Sequence, residues 1–170
     1  KVGTNDAGNE AYVVELNSET DFVSRNEKFQ AFADSVLELI KNNKPASLEE
    51  LLSLKMSVGT VQEDLDNLSG TIGEKMSVKR FDIISGETVA AYSHLGGKIG
   101  VLIALDKSGQ AELAADLAMQ VAAASPKYLN SSEVDPEELA REKEIYKEQL
   151  SKEGKPEAMI EKILEGKAAK

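Results

Sequence analysis

The sequence predicts an α+β fold: an antiparallel sheet of three to four strands with helices packed on one face, plus a C-terminal helical hairpin. Three patterns carry that expectation. Residues 11–17 alternate side chains with period two, as a half-buried strand does, and 78–105 reads as strands separated by short turns. Other stretches place apolar residues every three or four positions, as amphipathic helices do. The strands beyond residue 77 follow one another across short turns with no helix between them, which favours hairpins over βαβ units.

The elements follow in order. Residues 1–10 (Lys-Val-Gly-Thr-Asn-Asp-Ala-Gly-Asn-Glu) are rich in turn formers and read as a tail or loop. Tyr12, Val14 and Leu16 then alternate with Val13, Glu15 and Asn17 in a first strand. A long helix is expected over about 20–41, with Phe29, Phe32 or Ala33, Val36 and Ile40 on its inner side. Its start carries Ser18-x-x-Asp21, a capping-box pattern, with Thr20 as a rival N-cap. Either choice puts Asp21 and Phe22 in the first turn, where free backbone N–H groups favour an acid. Phe22 is the odd residue there, a large aromatic at a helix tip.

Asn42-Asn43-Lys44-Pro45 stops that helix, because proline cannot continue it. A short helix over 47–54 is capped by Ser47, with Glu50 at the capping-box position. Thr60-Val61-Gln62-Glu63 is a further capping box, opening a helix with the stripe Val61, Leu65, Leu68 and Ile72. Gly70 and Gly73 weaken its end by roughly 1 kcal/mol each relative to alanine. Strands at 78–84, 88–94 and 98–105 are joined by Ser85-Gly86-Glu87 and Leu95-Gly96-Gly97, an antiparallel meander of two hairpins. Residues 111–124 form an alanine-rich helix with Leu113, Leu117 and Val121 on one stripe, its small residues suited to close packing on the sheet. A polar linker at 130–134 leads to Asp135-Pro136, an acidic cap with proline at the first helical position. That helix runs to about 152, and Gly154-Lys155-Pro156 turns into a last short helix at 157–165. Two domains are expected: a core at 1–128 and a helical extension at 129–170. The extension reads as an incomplete second subdomain, since its helices cannot bury an apolar face of their own.

Composition narrows the function. The 170 residues suffice for one core and an appendage, and 29% charged with 41% hydrophobic residues is a soluble globular balance. A net charge of −10, with no basic run beyond Lys79-Arg80, argues against direct nucleic-acid binding. The longest apolar run, 101–105, cannot span a membrane, and no signal-peptide pattern opens the chain. Starting at Lys1 without a methionine, the chain reads as a processed or truncated product. Zero cysteines and one histidine, His94, exclude a Cys–His dyad and make a zinc site improbable. No Gly-x-Ser-x-Gly elbow is present, so a Ser–His–Asp triad around His94 is the catalytic alternative that counting alone leaves open. Gly96-Gly97-Lys98 lies between strands, where a phosphate loop would need a strand before it and a helix after it. The expectation is therefore no catalytic residue, no metal ligand and no cofactor.

Five blocks add a resemblance. Ser18-Glu19-Thr20-Asp21-Phe22-Val23, followed by Arg25-Asn26-Glu27-x-Phe29-Gln30, closely resembles the signature of elongation factor Ts, the guanine-nucleotide exchange factor of elongation factor Tu. Further blocks similar to that family are 72–80 (Ile-Gly-Glu-Lys-Met-Ser-Val-Lys-Arg), Tyr92-x-His94 with 96–102, 119–126 (Met-Gln-Val-Ala-Ala-Ala-Ser-Pro), and 151–156 followed by Glu165-Gly166-Lys167. They cover about 11–167 in the family's order. The departures are Ser24 for the common alanine, Gln120 for a frequent histidine, Gly166-Lys167 for Gly-Arg, and the closing Ala-Ala-Lys where the family continues. The family's N-terminal three-helix module, which resembles a ubiquitin-associated domain, is absent from these residues.

The resemblance implies a translation factor that binds elongation factor Tu, GDP-bound and nucleotide-free, and promotes GDP release without covalent chemistry. It implies that Thr20, Asp21, Phe22 and Val23 insert into the GTPase domain and dislodge its Mg²⁺, with Phe22 as the apolar wedge and Asp21 as a polar anchor. It places Ile72 with Gly73, and His94 with Leu95, near the partner's phosphate-binding side. It also implies a cytoplasmic bacterial protein, or an organelle-matrix protein in a eukaryote, and leaves homodimerisation open. The alternative is an interaction module that binds elongation factor Tu or a ribosome-associated partner without exchange.

Overall fold

A computed structural model describes residues 1–156 together with Met159, Ile160, Ile163 and Gly166. They belong to two units, Lys1–Ser125 and Pro126–Lys170. The first is α+β, and its architecture follows from one strand. In β2 (Glu10–Ser18), Tyr12 and Val14 are 1% exposed and Ala11 is 0% exposed, so neighbouring side chains on opposite faces are both covered.

On its edges β2 pairs antiparallel with β1 (Val2–Thr4) and β3 (Met76–Ser85), giving a three-stranded sheet in the order β1-β2-β3. β1 lies within the segment expected as a tail. Its pairing (Val2 opposite Val13, Thr4 opposite Ala11) and the Val14 N–H donating to the Lys1 carbonyl at 2.9 Å supply the backbone partners that a turn-rich composition does not reveal. The β2–β3 register shifts between Glu15 and Leu16, so Lys79 is left out of the pairing. The bulge keeps Val78, Phe81 and Ile83 opposite Leu16, Val14 and Tyr12, on one apolar face.

Four helices cover that face. α1 (Asp21–Ser24) is a single turn, and α2 (Glu27–Asn43) buries Phe29, Phe32, Ala33, Val36, Leu37 and Ile40. The expected continuous helix is thus broken. Asn26 is extended, and its side chain accepts from the Lys28 N–H at 2.9 Å, so a second N-cap intervenes. α3 (Leu48–Ser53) starts at Ser47, whose hydroxyl accepts from Glu50 N–H at 3.1 Å. α4 (Val61–Ile72) has both halves of its capping box: Glu63 N–H to Thr60 Oγ1 at 3.2 Å, and Thr60 N–H to Glu63 Oε2 at 2.8 Å.

The strands after β3 do not continue the expected meander. β4 (Thr88–His94) pairs with β5 (Ile99–Leu105) in a separate two-stranded sheet, and β3 has its ladder with β2 instead. At the crossing, Gly86 N–H donates to Asn9 O at 3.0 Å and Val89 N–H to Gly8 O at 3.1 Å. The hairpin then lies against the second face of the first sheet. A Cβ added at Gly100 would stand 2.8 Å from Val2 Cγ1 and 3.3 Å from Val13 Cγ2. The physical reason is the apolar Ala11–Val13 side of β2, which would otherwise face water.

α5 (Ala111–Ala124) covers the other side of the hairpin. Ala114, Ala118 and Ala122 are buried, the last two beside Val101 and Tyr92, whereas Leu113 and Leu117 are exposed. Small side chains let helix and hairpin approach closely, so the alanine stripe faces in and the leucine stripe turns outward.

In the second unit, Asp135 caps α6 (Pro136–Lys152) by accepting from Glu137 N–H at 2.9 Å. Glu138 on its first turn receives Lys127 Nζ at 2.6 Å and Tyr128 Oη at 2.5 Å. Leu150 and Ile160 are buried, and most of the expected last helix lies outside the described residues. No helix among the described residues is long and apolar enough to cross a membrane.

Two polar contacts fasten the core of the first unit. Tyr12 Oη donates to Glu10 Oε2 at 2.6 Å, and Lys44 Nζ meets Glu10 Oε1 at 2.6 Å, tying β2 to the end of α2. Burial, with Glu10 beside it, pushes the Tyr12 phenol up to about 12. Asp64 is buried on α4, where its Oδ2 accepts from Ser57 N–H at 2.9 Å, Ser57 Oγ at 2.9 Å and Val58 N–H at 3.3 Å. Burial alone would raise this carboxyl, but the hydrogen bonds outweigh it and hold it below the ordinary range. Because the folded group titrates below its reference value of 3.8, its contribution is complete above that pH and is lost as the pH falls through the folded pKa. Urea unfolding against pH should therefore show wild-type stability falling on the acid side of 3.8 more steeply than that of Asp64→Ala, which is already weakened at neutral pH. Parallel curves would contradict the assignment.

Candidate functional site

α1 is too short to hold itself together, since one hydrogen-bonded turn does not repay the order it imposes. Four attachments fix it. Val23 is buried in the core beside Phe29 and the other apolar residues of α2. Ser18 Oγ donates to Thr20 O at 3.0 Å, and Gln30 Nε2 donates to Ser24 O. Thr20 is the N-cap, its Oγ1 accepting from Val23 N–H at 3.5 Å. The rival cap therefore wins over the Ser18–Asp21 box: the helix begins at Asp21, and the Ser18 hydroxyl donates to the Thr20 carbonyl. The fourth attachment is Glu74, whose Oε2 accepts from Thr20 N–H at 3.0 Å and whose Oε1 accepts from Thr20 Oγ1 at 2.7 Å.

Adjacent residues of this turn point opposite ways. Val23 is 6% exposed, whereas Phe22 is 83% exposed. Burying a phenylalanine is worth roughly 1.5–3 kcal/mol, which this fold leaves unused. Asp21 is also exposed and pairs with Arg25 Nη2 at 3.2 Å, so its carboxylate lies on the surface and does not cap the turn.

The second expected segment ends α4. Ile72 is half-buried against the core, and Gly73 takes φ 83°, a left-handed cap that suits glycine. Its N–H donates to Ser69 O at 2.8 Å, and the next residue is Glu74. The Glu74 carboxylate thus brings the 20–23 and 72–73 segments together.

The third segment closes the β4–β5 hairpin. Leu95, Gly96 and Gly97 have φ of 50°, 67° and 94°, and Leu95 is 65% exposed. Leu95 is an uncommon side chain for this backbone region, which usually takes glycine or asparagine. His94 is half-buried, with Nδ1 3.0 Å from Tyr92 Oη and ring centroids 5.8 Å apart. Among the described residues no hydrogen bond ties this turn to α1 or to the end of α4.

The sequence pattern does not mark Glu74 or Tyr92 as site residues. Tyr92 had a local signal, because residues two apart on a strand share a face. Glu74 had none, since its partner is 54 positions away. Among the described residues, no group of three or more His, Asp or Glu side chains is placed to hold a metal ion. The imidazole of His94 contacts the Tyr92 phenol rather than a serine or carboxylate.

These features define an α+β protein with an exposed aromatic on a firmly anchored turn. The family model described as Elongation factor TS matches residues 19–170, and the chain belongs to that family. At the level of the family, the role is nucleotide exchange for elongation factor Tu, which makes that GTPase the partner.

The Tyr92–His94 contact can be read directly, because the chain has one histidine. A phenol donating to Nδ1 leaves the ring proton on Nε2. Long-range ¹H–¹⁵N spectra report which nitrogen carries the proton, and the Nδ1 resonance should shift in Tyr92→Phe. An unmoved resonance would mean that the contact is not made in solution.

Proposed function

We propose that this chain accelerates GDP release from elongation factor Tu by pressing the Thr20–Val23 turn into the GTPase domain, where the Mg²⁺ held with the nucleotide is displaced. The observation that carries the reading is Phe22, 83% exposed beside a Val23 that is 6% exposed. A wedge needs an apolar tip and a base that does not yield. Phe22 supplies the tip, and Val23 with the contacts to Thr20 supplies the base.

Exchange needs no acid, base or nucleophile from this chain. A factor that binds its GTPase more tightly without nucleotide must weaken nucleotide binding by the same factor. The 1.5–3 kcal/mol available from burying Phe22 corresponds to about ten- to a hundredfold in that coupling. In this reading Asp21 is a surface anchor that can exchange its Arg25 contact for one on the partner. Gly73 at the end of α4 and the Leu95 turn add surface on the nucleotide side, with Ile72 and His94 supporting them from half-buried positions. With a formal charge of −10, burial rather than long-range attraction is the main source of affinity.

The test is release of a fluorescent GDP analogue from elongation factor Tu. Wild-type chain should accelerate release, and Phe22→Ala should lose at least about tenfold of the acceleration. Its melting temperature should stay nearly unchanged, because the ring makes little of the core. No acceleration at any concentration would sink exchange, and complex formation without acceleration would make this a binding module. A large fall in stability on Phe22→Ala would show the ring to be core.

A further inference from the structure

We propose that Glu74 is a positioning residue for exchange, a carboxylate that holds the Phe22 turn at a set angle and couples it to the end of α4. The inference rests on the reading of Phe22 as the wedge.

Both oxygens of Glu74 are used on one residue, at 3.0 Å to Thr20 N–H and 2.7 Å to Thr20 Oγ1. Two bonds to one carboxylate fix direction as well as distance, and each is charge-assisted. The hydroxyl then has a defined orientation, with its proton on Glu74 and a lone pair free for Val23 N–H. That cap bond is long, at 3.5 Å, so the carboxylate contributes what the cap alone does not. Glu74 is itself well placed. It follows the left-handed Gly73 and precedes by two residues Met76, which is 6% exposed in the core. α4 and β3 therefore fix the carboxylate, and the carboxylate fixes Thr20. Phe22 is two residues further on and, 83% exposed, has little packing of its own to hold it.

The consequence is specific. Without Glu74, Val23 stays buried, but Thr20 can turn and the direction of Phe22 broadens. Only the fraction of molecules with the turn correctly set can displace the metal, so the maximal rate falls with that fraction. Docking through the other surfaces is left largely intact.

The experiment measures maximal GDP-release rate and half-saturating concentration for the full chain on elongation factor Tu. Glu74→Ala should lower the maximal rate roughly tenfold, about the worth of one charge-assisted hydrogen bond, with a smaller change in half-saturation. Glu74→Gln should recover most of it, since the amide oxygen accepts from Thr20 N–H and the amide nitrogen donates to Oγ1. Added to Phe22→Ala, Glu74→Ala should cause no further loss, because it acts only through the ring. If Glu74→Ala unfolds the chain, Glu74→Asp replaces it with the same expected loss, keeping the charge but shortening the reach by one methylene.

A wild-type maximal rate in Glu74→Ala would overturn the proposal. So would Glu74→Gln as poor as Glu74→Ala, which would mean that charge rather than hydrogen bonding matters. A further loss in the Phe22→Ala background would also overturn it, since Glu74 would then act on the partner itself. Failure of the wedge reading looks different: wild-type chain that does not accelerate release, or Phe22→Ala that keeps full acceleration.

Discussion

Burial of β2 on both faces is the constraint from which the first unit follows. Tyr12 and Val14 need the helices α2, α3 and α4 on one side, whereas Ala11 and Val13 need the β4–β5 hairpin on the other. Each face removes apolar surface from water at about 25 cal/mol per Å². A strand used on both sides cannot shift by one residue without reversing every contact. Its end at Ser18 is therefore fixed in space, and the chain passes from there directly into Thr20 and α1.

A fixed strand end makes the exposed phenylalanine intelligible. Val23 commits the turn to the core, and Phe22, one residue earlier, is directed away from it. The neighbouring residues contribute direction rather than burial: Thr20 to Glu74, Ser18 to the Thr20 carbonyl, Gln30 to the Ser24 carbonyl. The break before Asn26 belongs to the same design. A continuous helix from Thr20 to Asn43 would carry Phe22 on the wheel set by α2, whereas a separate turn lets it be oriented by contacts of its own.

What was legible in the sequence was local chemistry. Thr60 with Glu63, Ser47, and Asp135 with Pro136 cap their helices where the pattern places them, because a cap and its N–H group lie within three residues of each other. Thr20 and Phe22 could be singled out as well, since a capping residue beside an oddly placed aromatic is a local oddity. The rest depends on distant partners. β1 is a strand because Val13 and Tyr12 lie opposite it, and β3 pairs back with β2 because the Ala11 side needs the hairpin. On α5, periodicity picked out Leu113 and Leu117, while the close approach of the hairpin selected Ala114 and Ala118. Nothing near residue 74 announces its bonds to Thr20, 54 positions away.

The proposed exchange mechanism turns on whether residue 22 enters the GTPase. A photoreactive benzoyl group placed on the ring at position 22 tests this directly, with a second chain carrying it at Leu113 on the outer side of α5. The result expected is a crosslink from position 22 to the nucleotide-binding domain of elongation factor Tu, reduced by excess unlabelled chain and much stronger than that from position 113. Crosslinking from position 113 with none from position 22 would contradict it, and would place the partner on α5.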